Sequence, residues 1–226
     1  MDFYTTHAQR LSNQYNSLSP EAVHATWLPH LPNLSNSQFQ SQSINANRAL
    51  DIGAGSGRDA SWLAAKGWNV VAVEPAAGLS RLGGAITRGQ NVFWLDDSLP
   101  ELLSLRNNPE LQSAYDFILV SAVWMHLTPE AQGLALQRLK QLAAPGAVVV
   151  ITWRNQADES ERVFHEVDVN VFANGLFTQK AFYRSGDEGG RDGVVWSAVV
   201  LESVVLEPVV LEPVVLEPVV LESGYE

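Results

Sequence analysis

A run of alternating glycines is the most informative feature of the sequence. It reads Asp-Ile-Gly-Ala-Gly-Ser-Gly over residues 51–57, at the end of a short apolar segment. Alternating glycines make a tight turn without side-chain bulk, so the backbone can approach a ligand closely and present the amides of a following helix. Glycine-rich nucleotide loops have this design. The run therefore predicts a ligand-binding turn between a strand and a helix.

Acidic residues follow the next two apolar segments. Glu74 comes directly after one of them, and Asp96 and Asp97 end the other. A carboxylate at the end of the neighbouring strand can accept hydrogen bonds from both hydroxyls of a ribose. A side chain at the end of the third strand can accept one from an adenine amino group. Together with Asp51, these residues predict acidic groups from three strand ends around one crevice.

The hydrophobic pattern that positions these residues alternates strands with helices. The expected strands are 48–52, 69–73, 91–95, 115–121 and 147–153; the expected helices are one ending at Lys66 and those at 79–88, 100–106 and 129–142. Such alternation indicates parallel βαβ units in an open, doubly wound α/β sheet. Two further β-prone runs, 178–184 and 194–201, are joined by a glycine-rich loop. They predict an antiparallel hairpin added to the sheet.

The chain divides into three predicted segments. Residues 1–47 are expected to form a lid of two helices, 3–18 and 20–30, followed by a loop rich in Asn, Ser and Gln. Residues 48–202 hold the main domain. Over 203–226 the pentapeptide Val-Val-Leu-Glu-Pro recurs, with Ser replacing Pro at the ends of the repeat. A proline every fifth residue interrupts strand hydrogen bonding, so we expect a poorly ordered or edge-associated, dispensable tail.

Composition narrows the function classes. The 226 residues carry a formal net charge of -11, which argues against a nucleic-acid partner because phosphates are bound by clustered Lys and Arg. There is no cysteine, and the five histidines lack metal-ligand spacing, so no metal site is expected. No stretch is apolar enough for a membrane span, and the N-terminus lacks the features of a secretory signal, which predicts a cytoplasmic protein.

Several motifs in order resemble one known family. The glycine run, Val-Ala-Val-Glu-Pro at 71–75, Asp96-Asp97, Ser-Ala-Val-Trp-Met-His-Leu at 121–127 and Ala-Pro-Gly-Ala at 144–147 are similar to class I S-adenosylmethionine-dependent methyltransferases. The resemblance covers about residues 49–153. It implies a Rossmann-like, mostly parallel sheet of seven strands and S-adenosylmethionine as the cofactor. The implied reaction is methyl transfer to a small-molecule acceptor, and the acceptor and oligomeric state stay open.

The resemblance also implies a donor site. The glycines should line the methionine portion with Asp51 near its amino group, and Glu74 should bind the ribose. Asp96 should face the adenine amino group, with the Asp97 amide near the ring. The backbone of Ser121 and Ala122, after the fourth predicted strand, should lie under the sulfonium. The implied donor residues are Asp51, Gly53, Ala54, Gly55, Gly57, Glu74, Pro75, Asp96, Asp97, Ser121 and Ala122.

The acceptor side offers weaker candidates. His126 follows the fourth predicted strand and is the best-placed general base, although an isolated histidine is more often an ordinary polar residue. Tyr4 or Tyr15 would close over the methyl group as part of the lid. Aromatic residues at such positions also serve core packing. The candidates for acceptor contacts are Tyr4, Tyr15, Trp124, Trp153 and Arg154.

Two other functions are compatible with a glycine-rich turn in a βαβ unit. An NAD(P)-dependent oxidoreductase would carry Gly-x-Gly-x-x-Gly, whereas this chain has Gly-x-Gly-x-Gly and places Arg58 three positions after Gly55. A non-catalytic module that binds S-adenosylmethionine would keep the donor motifs without an acceptor site. Methyl turnover would separate an enzyme from such a module.

Overall fold

The computed structural model describes residues 2–34, 47–112, 114–155, 162–173 and 175–204. Seven strands form one sheet within these residues: β1 (Arg48–Ile52), β2 (Asn69–Val73), β3 (Val92–Leu95), β4 (Tyr115–Val120), β5 (Ala143–Arg154), β6 (Phe177–Ser185) and β7 (Trp196–Ser203). Their order is β3-β2-β1-β4-β5-β7-β6. The first five strands run parallel, and β7 pairs antiparallel with both β5 and β6. The predicted fold class is confirmed.

The strand order reverses beside β1, whose two neighbours are β2 and β4. In open α/β sheets, ligands bind in the crevice that forms outside the carboxyl ends of the strands at such a point. All five residues of β1 are buried. Leu50 and Ile52 join the larger apolar core on one face, and Ala49 joins the smaller core on the other. The glycine turn therefore starts from a rigid, doubly covered strand.

The described residues contain seven α-helices: α1 (Asp2–Thr6), α2 (Ala8–Asn16), α3 (Pro20–Val23), α4 (Arg58–Ala65), α5 (Ala77–Ile86), α6 (Leu103–Arg106) and α7 (Pro129–Leu142). Leu136 and Leu139 of α7 pack in the larger core, and Ala60 and Leu63 of α4 pack in the smaller one. None of these helices is long and apolar enough to cross a membrane.

The N-terminal helices differ from the prediction of two continuous helices. The first is interrupted at His7, where the backbone leaves helical geometry (φ -102°, ψ 15°) and Nδ1 donates to the Phe3 carbonyl at 2.9 Å. The second ends at Val23, and a separate 3-10 turn spans Leu28–His30. Pro29 lies inside that turn, where its missing amide prevents an α-helical continuation.

Several predicted boundaries shift, while the order of elements holds. Strand β5 begins at Ala143 rather than at residue 147, and α6 is shorter than the predicted helix 100–106. The C-terminal hairpin is confirmed, but β7 continues beyond Leu201 to Ser203. Of the predicted polar loop and repeat tail, residues 35–46 and 205–226 lie outside the described residues.

Candidate active site

A cavity of about 1060 Å³ opens at the carboxyl ends of the parallel strands. The N-terminal helices and the β6–β7 loop form its other walls. It brings together twelve of the predicted site residues: Tyr4, Tyr15, Gly53, Ala54, Gly55, Glu74, Pro75, Asp97, Ser121, Ala122, His126 and Arg154. It leaves five outside its lining: Asp51, Gly57, Asp96, Trp124 and Trp153. A crevice therefore lies where the sequence predicted one, and it is lined by fewer of the predicted residues than expected.

The glycine turn depends on backbone geometry that glycine tolerates. Gly53, Gly55 and Gly57 all have positive φ, at 73°, 56° and 85°. A Cβ on Gly53 would lie 2.2 Å from Cγ2 of Val123, so this glycine also lets the turn pack against the exit of β4. A Cβ on Gly55 would meet only the Tyr15 ring, at 3.7 Å. Gly55 therefore leaves the cavity open between the turn and that ring.

The amides of this turn donate within the chain. Gly53 and Ala54 both donate to the Val73 carbonyl, at 2.8 and 3.0 Å, and Gly55 donates to Oε2 of Glu74 at 2.8 Å. The amides of Gly53, Ala54 and Gly55 are therefore engaged within the chain, and the expected approach of a ligand to the amides of the following helix stays a prediction. The contribution of the turn to the cavity is a bare backbone surface that a ligand can approach.

Glu74 anchors the turn and faces the cavity at the same time. Its Oε1 accepts from the Ala76 amide at 2.8 Å, and its other oxygen accepts from Gly55. Burial raises the pKa of this carboxyl, while the two backbone hydrogen bonds oppose that shift. Each carboxylate oxygen has a second lone pair, so the two oxygens can accept two further hydrogen bonds. A vicinal diol such as a ribose fits this capacity.

The two consecutive aspartates after β3 differ in their surroundings. Asp97 lines the cavity, and its two oxygens accept from the Ser98 and Leu105 amides, each at 2.9 Å. Asp96 is exposed and lies outside the lining. Asp97 thus fastens the loop that leads to α6 while contributing to the cavity wall.

Asp51 lies behind the glycine turn, on the side of α4. It is 1% exposed, and burial together with the nearby Asp59 carboxylate raises its pKa well above the usual range. Asp59 is held by Arg58, whose Nε donates to it at 2.8 Å, and lies 2.9 Å from Nε2 of His24. Asp51 therefore belongs to a buried cluster of titratable side chains at the start of α4. Contact with a ligand amino group stays a prediction.

The exit of β4 carries local backbone strain. Ala122 has φ 60°, a conformation that costs an alanine free energy unless its surroundings hold it. Its amide donates to both the carbonyl and the hydroxyl of Thr152, at 3.1 and 3.0 Å. Ser121 and Ala122 thereby turn away from the sheet and line the cavity. Strained backbone held in this way is typical of functional sites.

His126 has a defined hydrogen-bonding state. Its Nδ1 lies 3.2 Å from the Val163 carbonyl, which can only accept, so Nδ1 carries the proton of the neutral ring. Its Nε2 is then the acceptor for the Tyr4 hydroxyl, at 2.9 Å. Burial lowers the pKa of His126, and the cations of Arg162 and Arg154 lower it further. A neutral imidazole with a basic Nε2 is the form that a general base requires.

The two predicted tryptophans serve the core. Trp124 is fully buried, and Trp153 is 7% exposed. Both rings pack on Phe172, at centroid distances of 5.8 and 5.7 Å. Arg154, one residue further along β5 and therefore on the opposite face, lines the cavity.

Other lining residues escaped the sequence analysis. Thr152 lies two positions before Arg154 and shares its face of β5, so strand alternation could have identified it. Asp187 and Arg191 pair within the hairpin loop at i, i+4, with Arg191 Nε donating at 2.9 Å. Arg162 and Tyr183 had no distinguishing pattern. The described residues contain no group of His, Asp and Glu side chains arranged to hold a metal.

The N-terminal helices close over the cavity through packing and polar contacts. Leu11 of α2 packs with Ala76 and Leu79 at the start of α5. A Cβ on Gly78 would lie 2.8 Å from both the Ala8 Cβ and the Thr5 carbonyl, so glycine permits this close approach.

Two hydrogen bonds also hold the N-terminal helices in place. Trp62 donates from Nε1 to Oε1 of Glu21 at 2.6 Å. Asn16 donates to the Ser56 hydroxyl within the glycine turn at 3.1 Å. These contacts join the N-terminal helices to α4 and to the glycine turn.

Solved structures share this fold. The N-methyltransferase NodS of Bradyrhizobium japonicum, solved with S-adenosyl-L-homocysteine, is 16% identical, with a TM-score of 0.57 over 81% of this chain and 86% of that one. The 1,6-didemethyltoxoflavin-N1-methyltransferase of Burkholderia thailandensis is 20% identical, with a TM-score of 0.54 over 88% and 89%. A methyltransferase of Methanosarcina mazei is 15% identical, with a TM-score of 0.56 over 76% and 99%. At these identities the likeness concerns the fold.

Sequence comparison provides the family. No curated protein sequence matches the chain at a significant level. The methyltransferase-domain family matches residues 21–188, which include the glycine turn, Glu74 and the exit of β4. This match favours methyl transfer over the nicotinamide-dependent alternative. The predicted family, enzyme class and methyl donor are confirmed: the chain belongs to the methyltransferase-domain family, as a class I S-adenosylmethionine-dependent enzyme.

Proposed function

We propose that this enzyme methylates a small molecule bound at the far end of its cavity, between the lid tyrosines and His126. The observation that carries the proposal is one continuous cavity that reaches from the glycine turn to His126. Its volume of about 1060 Å³ is slightly above the roughly 300–1,000 Å³ typical of small-molecule sites. The cavity therefore has room for a methyl donor and a small acceptor together.

The donor end suits S-adenosylmethionine. Glu74 would accept hydrogen bonds from the ribose hydroxyls, and the bare backbone of Gly53, Ala54 and Gly55 would lie against the methionine portion. Pro75 and Asp97 would border the nucleoside, with Asp97 rather than Asp96 nearest the adenine because Asp97 lines the cavity. Ser121 and Ala122 would lie below the sulfonium. These assignments fit the family's chemistry and the capacity of the buried Glu74 carboxylate.

S-adenosylmethionine, when bound, would supply a methyl group on a cationic sulfur that can leave as a neutral sulfide. The chain must hold the acceptor in line with that methyl and exclude water. Tyr15, above Gly55, and Tyr4, beside His126, would cover the reacting atoms. The Asp51 group would contribute indirectly by supporting the glycine turn.

His126 would remove the proton of a hydroxyl or ammonium acceptor. The Tyr4 hydroxyl donates to Nε2, so it is placed to take the acceptor's proton while passing its own to His126. The imidazole would then carry two protons, with Nδ1 still bonded to the Val163 carbonyl. A nearby carbonyl stabilises that charged form, and the neighbouring arginines favour its return to neutrality.

The deciding experiment measures methyl turnover. The full chain is incubated with S-adenosylmethionine labelled in its methyl group and a panel of small hydroxyl- and amine-bearing metabolites, alongside a nucleic-acid control. We expect label in a small molecule and none in the nucleic acid. Tight donor binding without transfer to any partner class would favour a non-catalytic binding module. A cytoplasmic location and the absence of nucleic-acid partners remain predictions from composition.

A further inference from the structure

Three cavity-lining side chains bond to one another where the β6–β7 loop meets β7: Asp187, Arg191 and Trp196. One carboxylate oxygen of Asp187 accepts from the Arg191 amide at 3.1 Å and from Arg191 Nε at 2.9 Å. The other accepts from Nη2 of Arg191 and, at 2.8 Å, from Nε1 of Trp196. We call these three residues the loop bracket. At its centre is the Asp187 side chain, which is only 2% exposed.

The loop bracket satisfies its own charges. Hydrogen bonds from Arg191, together with the one from Trp196, hold the pKa of Asp187 well below its ordinary range, so the carboxylate is ionised and paired with the guanidinium. A Cβ on Gly189 would lie 2.9 Å from Oδ2 of Asp187, so glycine lets the loop close around this carboxylate. The interactions of the three residues all lie within the described part of the chain. The loop bracket is therefore a built part of the cavity wall.

Trp196 faces the cavity from the start of β7. Its register partners are Arg154 on β5 and Ser185 on β6. Residues directly opposite each other in antiparallel strands share one face of the sheet. Arg154 and Ser185 also line the cavity, so this pairing places the half-buried indole on the cavity side.

Trp196 differs from the tryptophans of the cores. Packing against another aromatic ring holds five of those in place: Trp27, Trp62, Trp68, Trp124 and Trp153. Within the described residues, no aromatic ring packs on the Trp196 indole, which is held instead through Nε1. An indole has one hydrogen-bonding group, its N–H, and Asp187 satisfies it. The ring therefore offers the cavity a fixed apolar surface.

We propose, on the basis of the function proposed above, that the acceptor is a planar aromatic or heteroaromatic molecule whose ring packs against the indole of Trp196. Asp187 is the positioning residue that fixes this indole. A flat ring gains affinity from stacked or edge-on contact with an indole beyond what burial of the same area provides. The inference needs no free charge at this end of the cavity, because an indole recognises a neutral ring.

A second ring of the cavity is also fixed in place. Tyr183 lines the cavity, and a 2.8 Å hydrogen bond joins its hydroxyl to Nε2 of His30. Tyr4 lines the cavity too, and its hydroxyl is bonded to His126. Each of these rings is therefore held at its polar end, as Trp196 is. Rings held in this way favour a flat acceptor over a globular one.

The test compares aromatic alcohols with their saturated counterparts. Binding of phenol and cyclohexanol, of 4-methylphenol and 4-methylcyclohexanol, and of 2-naphthol and decahydro-2-naphthol is measured by calorimetry on the full chain saturated with S-adenosylhomocysteine. We expect each aromatic member to bind about 2- to 10-fold more tightly, the range for an aromatic pair beyond area burial. Equal binding within every pair, or no binding of any aromatic alcohol, overturns the inference.

Two variants of Trp196 and a matched control locate the effect. Trp196→Leu should remove the aromatic preference, whereas Trp196→Phe, which keeps a ring without the indole N–H, should retain part of it. Phe182→Leu is the control, because Phe182 belongs to the same hairpin but lines a separate small pocket rather than the cavity. Its aromatic preference should equal that of wild type. Circular dichroism checks that each variant folds, and an unchanged preference in folded Trp196→Leu contradicts the proposal.

The positioning role of Asp187 has its own readout. Asp187→Ala should lower the aromatic preference toward that of Trp196→Leu. Asp187→Asn should restore part of it, because its amide oxygen can still accept from the indole N–H. A general loosening of the cavity weakens both members of each pair alike, so the ratio of their affinities separates positioning from a purely structural role. A wild-type ratio in folded Asp187→Ala overturns the positioning role.

Failure of this inference is distinguishable from failure of the proposed function. If S-adenosylhomocysteine does not bind the wild-type chain, the proposed donor site fails. If it binds and labelled methyl enters only saturated acceptors, the proposed function stands and the aromatic inference fails. Tetramethylammonium that binds more tightly than every phenol, and only when Trp196 is present, would assign the indole to a cation and also overturn the inference. Donor affinity in Trp196→Leu should stay within about twofold of wild type.

Discussion

The two ends of the cavity are built in different ways. The donor end comes from consecutive strand ends and is tied together by backbone hydrogen bonds, as in the contacts of Glu74 with Gly55 and Ala76. The acceptor end draws on four separate stretches of chain, which contribute Tyr4, His126, Arg162 and the β6–β7 loop. The comparison teaches that the proposed donor site is built from short local motifs, whereas the proposed acceptor site depends on how distant segments meet.

The largest expected effect falls on the acceptor end. His126→Ala removes the base and should lower turnover of a hydroxyl acceptor by roughly 10² to 10⁴. Donor affinity should stay near that of wild type. Steady-state turnover and donor calorimetry on the same preparation check both statements. His165→Ala is the matched control, since this histidine lies outside the cavity lining. Wild-type turnover in a correctly folded His126→Ala variant would contradict the assignment of His126 as the general base.

A companion loss is expected at the donor end. Gly55→Val places a β-branched side chain at φ 56°, beside the Tyr15 ring, and should weaken donor binding by more than about 100-fold. Donor calorimetry measures the loss. Gly84→Val is the control, because a Cβ at Gly84 meets nothing within 4 Å. Normal donor binding by a correctly folded Gly55→Val variant would remove the glycine turn from the donor site.

The residues predicted for the donor end had a clearer physical basis in the sequence than those predicted for the acceptor end. Alternating glycines and strand-end acids leave local signatures in the sequence, and the alternation of strands with helices indicates a parallel sheet. Even there, side-chain direction was hidden. Asp51 points toward α4, and Asp96 is exposed while Asp97 lines the cavity. A shift of one position along a turn decides whether a side chain faces the cavity, and the residue type alone does not reveal that direction.

Only some residues at the acceptor end could be identified from the sequence. The hydroxyl of Tyr4 and Nε2 of His126, two of the predicted residues, lie 2.9 Å apart, although the predicted donor motifs stand between them in the sequence. Trp124 and Trp153 instead pack in the core, because aromatic residues satisfy burial wherever a sheet face is covered. Arg162 had no local pattern at all. The break at His7 was also missed, since it depends on a side chain bonding to its own helix.

The pH profile gives a smaller effect that sharpens the comparison. The pKa of His126 is lowered from its usual 6.5, and a general base works only when neutral. Acceptor turnover should therefore be maintained down to about pH 6.5 and fall at lower pH, as His126 gains a proton. The acidic limb should vanish for the residual activity of His126→Ala. A wild-type limb centred clearly above pH 6.5 would contradict this assignment.

The smallest effect is expected for the repeat tail. Deleting residues 205–226 should leave the melting temperature, donor binding and turnover unchanged, because every described site residue precedes the deletion. Ser203 must be retained, since it is 2% exposed and accepts from Nζ of Lys140 at 2.7 Å. A second truncation that also removes Ser203 and Val204 is the comparison. A large fall in melting temperature after the shorter deletion would place the tail in the fold, and a changed solution mass alone would make it an assembly element.

The most direct measurement is a calorimetric titration of S-adenosylmethionine into wild type, Glu74→Ala and His126→Ala. Loss of Glu74 would remove the proposed charged acceptor for two ribose hydroxyls and should weaken donor binding by about 10- to 100-fold. Loss of His126 should leave it within about twofold of wild type. Circular dichroism confirms folding, because Glu74 also accepts from the Gly55 amide. An unchanged dissociation constant in folded Glu74→Ala would contradict the division of the cavity into a donor end and an acceptor end.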